Sequence, residues 1–440
     1  MVTAETNGNL APDLRQLKSD LHRQLVDTID FGRVAITEAD EFRRQITGIT
    51  QHLSTQLNAE LSAADRQTLC QQVIDEIYGF GPLETLMQDD AVTDILVNRF
   101  DRILVERSGQ LQESDAQFSD VDHLLRFVQT MVSRAGRHID ESSPIVDARL
   151  PDGSRLNAVI PPLSVGGPTI SIRRFPQQQR QVEDLLRSGT LAPAMADFLI
   201  LAVRGRMNIV FSGGSGAGKT TLLNGISRFV PDAERIVTIE ETTELQLQSS
   251  DVVSLETRLP GPEGTGGVTQ RDLLRNALRM RPDRIVLGEA RGAEVLDMLQ
   301  AMNSGHRGSM STVHANDARQ ALERLELLIA LSGVSIPSPV ARQFVVQAVD
   351  IIVHLTRHPD GIRRVTGISE ATRLRNGEFE VRDIFVYRSG QSESEEPGGF
   401  FATGYEPSTL QTLSAAGVDV EQFRPLFVPR RLQPAAPDPQ

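Results

Sequence analysis

The chain has 440 residues, of which 39% are hydrophobic and 23% are charged, so we expect two or three domains of ordinary globular composition. Its formal net charge of −13 at pH 7 argues against a general nucleic-acid coat, because binding to phosphate needs a basic surface. A single cysteine, Cys70, excludes a disulfide framework within the chain and any four-cysteine zinc site.

The first eighty residues are predicted to form helices. Apolar side chains recur there with a period near 3.6, at Leu14, Leu17, Leu21, Leu25, Ile29, Leu69, Val73 and Ile77. No signal peptide is evident, and the longest apolar runs are shorter than the roughly 18 residues of a membrane span, so we expect a cytoplasmic protein. We interpret residues 1–80 as a packing or oligomerisation arm without chemistry.

Residues 81–175 are predicted to form an α+β domain. Short β-branched runs indicate strands at residues 92–98, 102–107, 155–160 and 169–173, and an amphipathic pattern indicates a helix at residues 121–135. The following segment is polar and has no periodicity, so we interpret residues 176–189 as a linker.

Residues 190–390 are predicted to form an α/β domain with a mostly parallel sheet. Short apolar strands alternate there with helical stretches, which is typical of a parallel sheet covered on both faces. The strands are expected near Ile209, Ile236, Ile285 and Thr312. Residues 391–440 are predicted to be a C-terminal loop and tail, because residues 392–399 have the composition of a solvated loop and residues 434–440 that of a disordered tail.

A glycine-rich loop follows the first of these strands. The chain fits G-x-x-x-x-G-K-[ST] from Gly213 to Thr220, between a β-branched run and a segment that can start a helix. Glycine lets the backbone bring its N–H groups close to an anion, and the helix N-terminus adds partial positive charge. Lys219 can reach the β- and γ-phosphates, and the Thr220 hydroxyl can ligate Mg²⁺. The residues predicted to bind a nucleoside triphosphate are Gly213, Gly214, Ser215, Gly216, Ala217, Gly218, Lys219, Thr220 and Thr221.

Glutamates follow two further strands of this domain. Glu240 and Glu241 end one strand, and Glu289 follows another after Gly288. Because ligands of open α/β sheets lie beyond the carboxyl ends of the strands, these acids should reach the phosphates. We interpret Glu240 as the base that activates water, Glu289 with Thr220 as the Mg²⁺ ligands, and Glu241 as a further candidate for the metal. The alternative is that these carboxylates only cap the helices that follow.

A third strand ends in His314. By position alone this histidine is as consistent with packing as with sensing of phosphate. His306 and His314 have no metal-ligand spacing with each other or with Cys70, so no zinc site is expected. Asn316 is expected to cap the helix that begins near Ala318.

An arginine-bearing helix is predicted at residues 270–279. Arg271, Arg275 and Arg279 recur at i, i+4 spacing and therefore share one face, opposite Leu274 and Leu278. This face is either solvated and salt-bridged, or a basic surface that faces a pore or a neighbouring subunit.

Four ordered motifs resemble those of the secretion ATPase superfamily, the hexameric motors of type II and type IV secretion and of type IV pilus assembly. Besides the loop at residues 213–220, residues 239–245 look like its acidic box, residues 288–292 like its atypical Walker B segment and residues 305–317 like its histidine box. Glu241 stands where the acidic box usually has aspartate. The resemblance implies a RecA-like ATPase domain over residues 190–390, hydrolysis of ATP with Mg²⁺, and a γ-phosphate or interface sensor at His314.

Segments upstream resemble the CpaF-like branch of this superfamily, which powers tight-adherence (Flp-type) pili. They are residues 81–86, 92–98 and 147–158. The N-terminal α+β domain of this family is PAS-like and lends arginines to the nucleotide, and Arg155, Arg173 and Arg174 match that region. The resemblance implies a homo-hexamer, an inner-membrane platform protein as partner, no direct binding of nucleic acid, and membrane contact through partners alone.

Two other classes of function remain open from the residues themselves. A nucleic-acid translocase would share the RecA-like core and could line its channel with the arginines of residues 270–279. A nucleotide-gated scaffold would bind ATP without hydrolysing it.

Overall fold

The computed structural model describes residues 79–433, except residues 108, 175–180, 259, 261–264, 391–397 and 416–418, and before residue 79 it describes Gly48, Gln71 and Asp75. The helical arm predicted for residues 1–80, including Cys70, therefore lies almost entirely outside the described residues. The chain divides into two compact units between residues 177 and 178.

The first unit is built on a six-stranded antiparallel sheet. In chain order its elements are α1 (Glu84–Gln88), β1 (Val92–Arg99), β2 (Arg102–Arg107), β3 (Gln110–Glu113), α2 (Val121–Arg134), β4 (Ile145–Arg149), β5 (Arg155–Val159) and β6 (Thr169–Arg173). The strand order is β3-β2-β1-β6-β5-β4. The four predicted strands and the predicted helix are confirmed, whereas β3 and β4 were not predicted. The Asp120 side chain begins α2 by accepting a hydrogen bond from the His123 N–H (2.6 Å).

The second unit contains a ten-stranded sheet with helices. Its helices are α3 (Val182–Arg187), α4 (Pro193–Arg204), α5 (Lys219–Ser227), α6 (Gln270–Ala277), α7 (Glu294–Asn303), α8 (Ala318–Leu331), α9 (Ser338–Ala348) and α10 (Thr409–Ala415). Its strands are β7 (Ile209–Gly213), β8 (Ile236–Glu240), β9 (Val252–Glu256), β10 (Arg284–Leu287), β11 (Met310–Val313), β12 (Ile351–Arg357), β13 (Arg363–Arg375), β14 (Glu378–Arg388), β15 (Gly399–Ala402) and β16 (Arg430–Arg431).

The order of these ten strands is β16-β15-β14-β13-β12-β7-β11-β10-β8-β9. All neighbours from β12 to β9 pair in parallel, and all neighbours from β16 to β12 pair antiparallel. This confirms the α/β class, the mostly parallel sheet and the four strands predicted for this region. The antiparallel half of the sheet was not predicted.

The central strands are buried on both faces of the sheet. In β7 every residue is buried, and alternate side chains enter different clusters: Ile209 and Phe211 pack in one hydrophobic core and Val210 in another. This follows from the period of two along a strand, since helices cover both faces. Strands of this kind are continuous apolar runs, which is why they could be found from the sequence.

The C-terminal part of the second unit is folded, so the prediction of a loop and tail for residues 391–440 is wrong for residues 399–415 and 419–433. Phe427 packs against Phe198 (5.7 Å between ring centroids) and Phe385 (6.1 Å) in the core. Glu370, only 1% exposed, anchors the same segment to β13. It accepts hydrogen bonds from the Tyr405 hydroxyl (2.5 Å), from the Ser408 N–H and hydroxyl, and from the Thr409 N–H.

Two further predictions about helices are corrected. The segment interpreted as a linker carries α3, whose N-terminus is tied by the Asp184 carboxylate to the Gln181 N–H (2.8 Å). The arginine-bearing helix α6 ends at Ala277, so Arg279 lies beyond it. Arg271 and Arg275 both pair with Asp297 of α7, at 2.6 and 3.0 Å, which matches a salt-bridged face.

Within the described part of the chain, every helix is too short or too polar to span a membrane.

Candidate functional site

The carboxyl ends of four neighbouring parallel strands meet at one edge of the large sheet. Their order is β8-β10-β11-β7, with Leu287 opposite both Ile239 and Ser311 and with Val313 opposite Ser212. The segments that follow these strands carry the glycine-rich loop, Glu240, Glu289 and His314. The structure therefore brings together the groups that the sequence pointed to, at the sheet edge where open α/β folds bind ligands.

The glycine-rich loop needs glycine at several of its positions. Gly213, Gly216 and Gly218 have φ values of 151°, 67° and 96°, which L side chains rarely adopt. At Gly213 a methyl group would also lie 2.3 Å from the Leu355 carbonyl oxygen of β12. Gly218 is the N-cap of α5, so the loop runs directly into the positive end of a helix dipole. A loop of this geometry is suited to bind phosphate.

Lys219 is folded into the loop and is 8% exposed. Its Nζ donates hydrogen bonds to the carbonyl oxygens of Gly213 and Gly214, both at 2.9 Å. Burial lowers the pKa of this ammonium group, and the carboxylate of Glu289 partly offsets the effect. The Lys219 ammonium group is thus close enough to Glu289, which follows β10, to interact electrostatically with its carboxylate.

Glu240 has one satisfied and one orphaned carboxyl oxygen. Its Oε1 accepts hydrogen bonds from the N–H groups of Glu244 and Leu245, both at 2.9 Å. Its Oε2 is buried and has no hydrogen-bond partner among the described residues. With the residue 3% exposed, burial raises the pKa of Glu240 to about 7. A methyl group at Gly288 would lie 2.8 Å from the Glu240 Cγ, so the glycine before Glu289 leaves room for this side chain.

Glu289 lies in a network of charged groups. Arg291 donates to the Glu289 Oε2 (2.6 Å) and to the Glu241 Oε2 (2.9 Å), and the His314 Nε2 lies 2.8 Å from the Glu289 Oε1. Burial and the neighbouring Lys219 cation lower the pKa of His314, which favours the neutral imidazole. Arg291 was missed from the sequence, although it follows Glu289 by two residues within the same motif.

In the part of the chain that the structure describes, neither Glu240 nor Glu289 caps a helix, so the alternative of helix capping is not supported for these two acids. Glu240 holds the turn at residues 244–245, which is not helical. Among the described residues no side chain caps α7: Glu294 in its first turn accepts from the N–H groups of Arg291 (2.7 Å) and Gly292 (2.6 Å), which precede the helix. At α8 the cap is Asp317, whose side chain accepts from the Gln320 N–H (2.7 Å), so the prediction that Asn316 caps this helix is wrong.

A pair of arginines from the β12–β13 hairpin also contacts the loop region. Arg357 and Arg363 face each other in the two strands. The Arg363 Nε donates to the Gly216 carbonyl oxygen (2.8 Å), and a methyl group at Gly216 would lie 3.9 Å from the Arg357 Nη1. Sequence reasoning missed both, because they lie more than a hundred residues beyond the loop and no local motif links them to it.

The three arginines predicted from the first unit differ in their surroundings. The Arg174 Nη1 donates to the carbonyl oxygens of Leu86, Asp89 and Val92. Because these hydrogen bonds hold the guanidinium against the backbone at the start of β1, they argue against a catalytic role. Arg155 and Arg173 are partners in the β5–β6 register.

Both of those arginines are accessible on the sheet. Arg155 lies 3.5 Å from Asp147 and Arg173 lies 3.2 Å from Asp94, and all four side chains are partly exposed. Exposed ion pairs of this kind contribute little to stability. Arg155 and Arg173 therefore remain the better candidates of the three for contact with an anion.

The residues present at the sheet edge fit a magnesium ion that is held mainly by a nucleotide. Among the described residues no group of three or more His, Cys, Asp or Glu side chains could hold a metal ion. Mg²⁺ commonly takes only one or two protein oxygens and completes its shell with phosphate and water. Thr220 and Glu289 offer hard oxygen ligands, and the buried Glu240 Oε2 has no hydrogen-bond partner in the part of the chain that the structure describes.

Comparison with known proteins gives a consistent result. A family model described as Type II/IV secretion system protein matches residues 76–380. A protein of Mycobacterium tuberculosis named for conjugal transfer is 37% identical over 73% of this chain and 92% of its own length. The type IV secretion system protein VirB11 of Bartonella quintana is 31% identical over 69% of this chain and 93% of its own. The solved VirB11 ATPase of Brucella suis, in complex with sulphate, is 29% identical over 66% of this chain and 95% of its own, with a TM-score of 0.36.

Proposed function

Because the chain belongs to the Type II/IV secretion system protein family, we propose that this P-loop ATPase is a motor that couples ATP hydrolysis to protein secretion or pilus assembly. The observation that carries the proposal is the shared sheet edge, where a phosphate-binding loop meets Glu240, Glu289 and His314. The names of the relatives, which refer to conjugal transfer and type IV secretion, support this class of work.

The loop and the start of α5 hold the phosphates of ATP. The loop N–H groups and the helix dipole act on the negative charge, and Lys219 transfers its hydrogen bonds from the carbonyls of Gly213 and Gly214 to phosphate oxygens. Thr220 and Glu289 would hold Mg²⁺, which neutralises charge on the phosphates when it is bound. Arg363 braces the loop through the Gly216 carbonyl.

Glu240 is the general base. Its free Oε2 accepts a proton from the attacking water while the water oxygen bonds to the γ-phosphorus and the bond to the ADP oxygen breaks. Burial raises the pKa of this carboxyl to about 7, so the ionised form is a stronger base than an ordinary glutamate. Arg291 holds Glu289 in place, and neutral His314 beside Glu289 reports the state of the γ-phosphate.

The motor works as a homo-hexamer on the cytoplasmic side of the inner membrane, where it engages a platform protein of the secretion or pilus machine. Arg155 or Arg173 from the first unit reaches the nucleotide and stabilises the charge of the transferring phosphoryl group. Closure around ATP then ties chemistry to movement. Within the family we favour the tight-adherence pilus branch, on residues 81–86, 92–98 and 147–158.

The proposal is tested by ATP hydrolysis with light scattering, for wild type, Lys219→Ala and the control Arg228→Ala. Arg228 is an exposed cation at the opposite end of α5, so the control changes charge on the same helix without touching the loop. Wild type and Arg228→Ala should hydrolyse ATP and form oligomers in its presence. In Lys219→Ala the rate of ATP hydrolysis should fall by about a hundredfold or more. Wild-type protein that stays monomeric and inactive with ATP and Mg²⁺ contradicts the proposal, as does strong stimulation by single-stranded nucleic acid.

A further inference from the structure

A cavity of about 530 Å³ opens beside the phosphate loop, and its wall on α8 has no part in the chemistry described so far. It extends from the loop to the outer side of α8. The lining residues are Gly214, His314, Ala315, Asn316, Gln320, Glu323, Arg324 and Leu327. On the loop side a methyl group at Gly214 would meet no atom within 4 Å, so the loop is open towards solvent at this point. The cavity thus joins the γ-phosphate side of the loop to the protein surface.

Arg324 lies on the α8 wall of this cavity. Gln320, Arg324 and Leu327 follow each other at helical spacing and share one face of α8. Among the described residues Arg324 makes no ion pair, whereas Glu323, which also lines the cavity, pairs with Arg319 (3.1 Å). The wall therefore offers one guanidinium that no other described side chain engages.

Arg324 of α8 and His314 beside the loop line the same cavity, so the guanidinium borders the space that opens from the loop. The other acid near the wall, Asp317, has both carboxyl oxygens engaged by Gln320, through its N–H (2.7 Å) and its Nε2 (2.8 Å). The carboxylates of Asp317 and Glu323 keep their negative charge, so an anion in the cavity would be held by direct contact with the Arg324 guanidinium and not by a wall of net positive charge.

We propose that this cavity is a subsite for inorganic phosphate, with Arg324 as the residue that binds it after ATP is cleaved. The inference rests on the proposed function, since hydrolysis leaves phosphate and ADP side by side at the loop. ADP stays held by the loop and α5, so phosphate departs from the γ side, where Gly214 and His314 border the cavity. Arg324 draws the product outward and sets how strongly it is retained.

The test compares wild type with Arg324→Gln and with Arg228→Gln, a control that removes an exposed arginine at the end of α5, outside the cavity lining. Inhibition of ATP hydrolysis by inorganic phosphate is measured beside inhibition by ADP. Calorimetric titration of phosphate into ADP-loaded protein gives the same affinity without hydrolysis. In Arg324→Gln we expect phosphate to bind about tenfold more weakly or worse by both methods, because a charge-assisted contact is lost. The ADP inhibition constant should stay within about twofold, and Arg228→Gln should behave as wild type.

Each outcome separates this inference from the proposed function. An unchanged phosphate affinity in Arg324→Gln, in protein that hydrolyses ATP, overturns the subsite and leaves the motor standing. Equal weakening of phosphate and ADP also overturns it, since Arg324 would then act on the whole nucleotide site. A larger loss in the single-turnover cleavage rate than in phosphate affinity assigns Arg324 to the transition state instead. If wild type does not hydrolyse ATP but the calorimetric affinity still depends on Arg324, the proposed function fails and the subsite stands.

Discussion

Replacing Glu240 with glutamine should remove a pH dependence of stability that the burial of this carboxyl creates. Burial raises its pKa from 4.5 to about 7, and the nearby carboxylates of Glu244 and Glu256 act in the same direction. The folded state therefore keeps the proton to higher pH than the unfolded state. This stabilisation is complete below pH 4.5 and is lost as the pH rises through about 7. Glutamine keeps the oxygen that accepts from Glu244 and Leu245 and carries no charge at any pH.

The size of the effect follows from the two pKa values. Their separation corresponds to about 3 kcal/mol of unfolding free energy, at about 1.4 kcal/mol for each pKa unit. About 2 kcal/mol of this falls between pH 5.5 and pH 8.5, because the unfolded carboxyl is already largely ionised at pH 5.5. For a unit of this size the difference amounts to about 5 °C in the unfolding midpoint.

Denaturant and thermal unfolding at pH 5.5 and pH 8.5 measure this difference for wild type, Glu240→Gln and Glu241→Gln. The control neutralises the adjacent, half-exposed carboxylate, which pairs with Arg291 at the surface. Relative to wild type, Glu240→Gln should gain about 2 kcal/mol more at pH 8.5 than at pH 5.5. Parallel pH dependence in wild type and Glu240→Gln would refute the assignment of a buried, protonatable carboxyl at this position.

Three further predictions concern activity and the fold. The kcat/KM for ATP should rise with pH through about 7 as Glu240 loses its proton, and a rate profile that is flat from pH 6 to 8 would exclude it as the base. Gly213→Ala should abolish nucleotide binding, because its methyl group would lie 2.3 Å from the β12 backbone. Gly214→Ala should leave the unfolding midpoint within about 2 °C of wild type, because its methyl group would meet no atom within 4 Å. Equal loss of stability in both variants would contradict the loop geometry. Glu370→Gln should destabilise the second unit by about 2 kcal/mol or more, because the carboxylate accepts from two backbone N–H groups and an amide NH₂ cannot. Limited proteolysis should then cut within residues 399–433 before any other folded segment.

How far the sequence predicts the site depends on how local each feature is. The loop from Gly213 to Thr220 and the strand before it could be read directly, because glycine spacing and a β-branched run are contiguous signals. The acids at 240 and 289 could be placed at the same edge because parallel strands share the direction of their carboxyl ends. The antiparallel half of the sheet and the folded segment at residues 399–433 escaped prediction, since short strands and aromatic anchors such as Phe427 carry little periodicity.

The amino-acid sequence by itself determined the phosphate loop, the acids that follow neighbouring strands, and the family to which they point, because each depends on backbone chemistry within a few residues. Only the tertiary structure decided the protonation of Glu240, which depends on burial and on the space that Gly288 leaves. It also decided that Arg363 braces a loop 147 residues away and that Arg324 stands beside a cavity. Such features arise where segments distant in the chain approach one another, and no local pattern encodes those approaches.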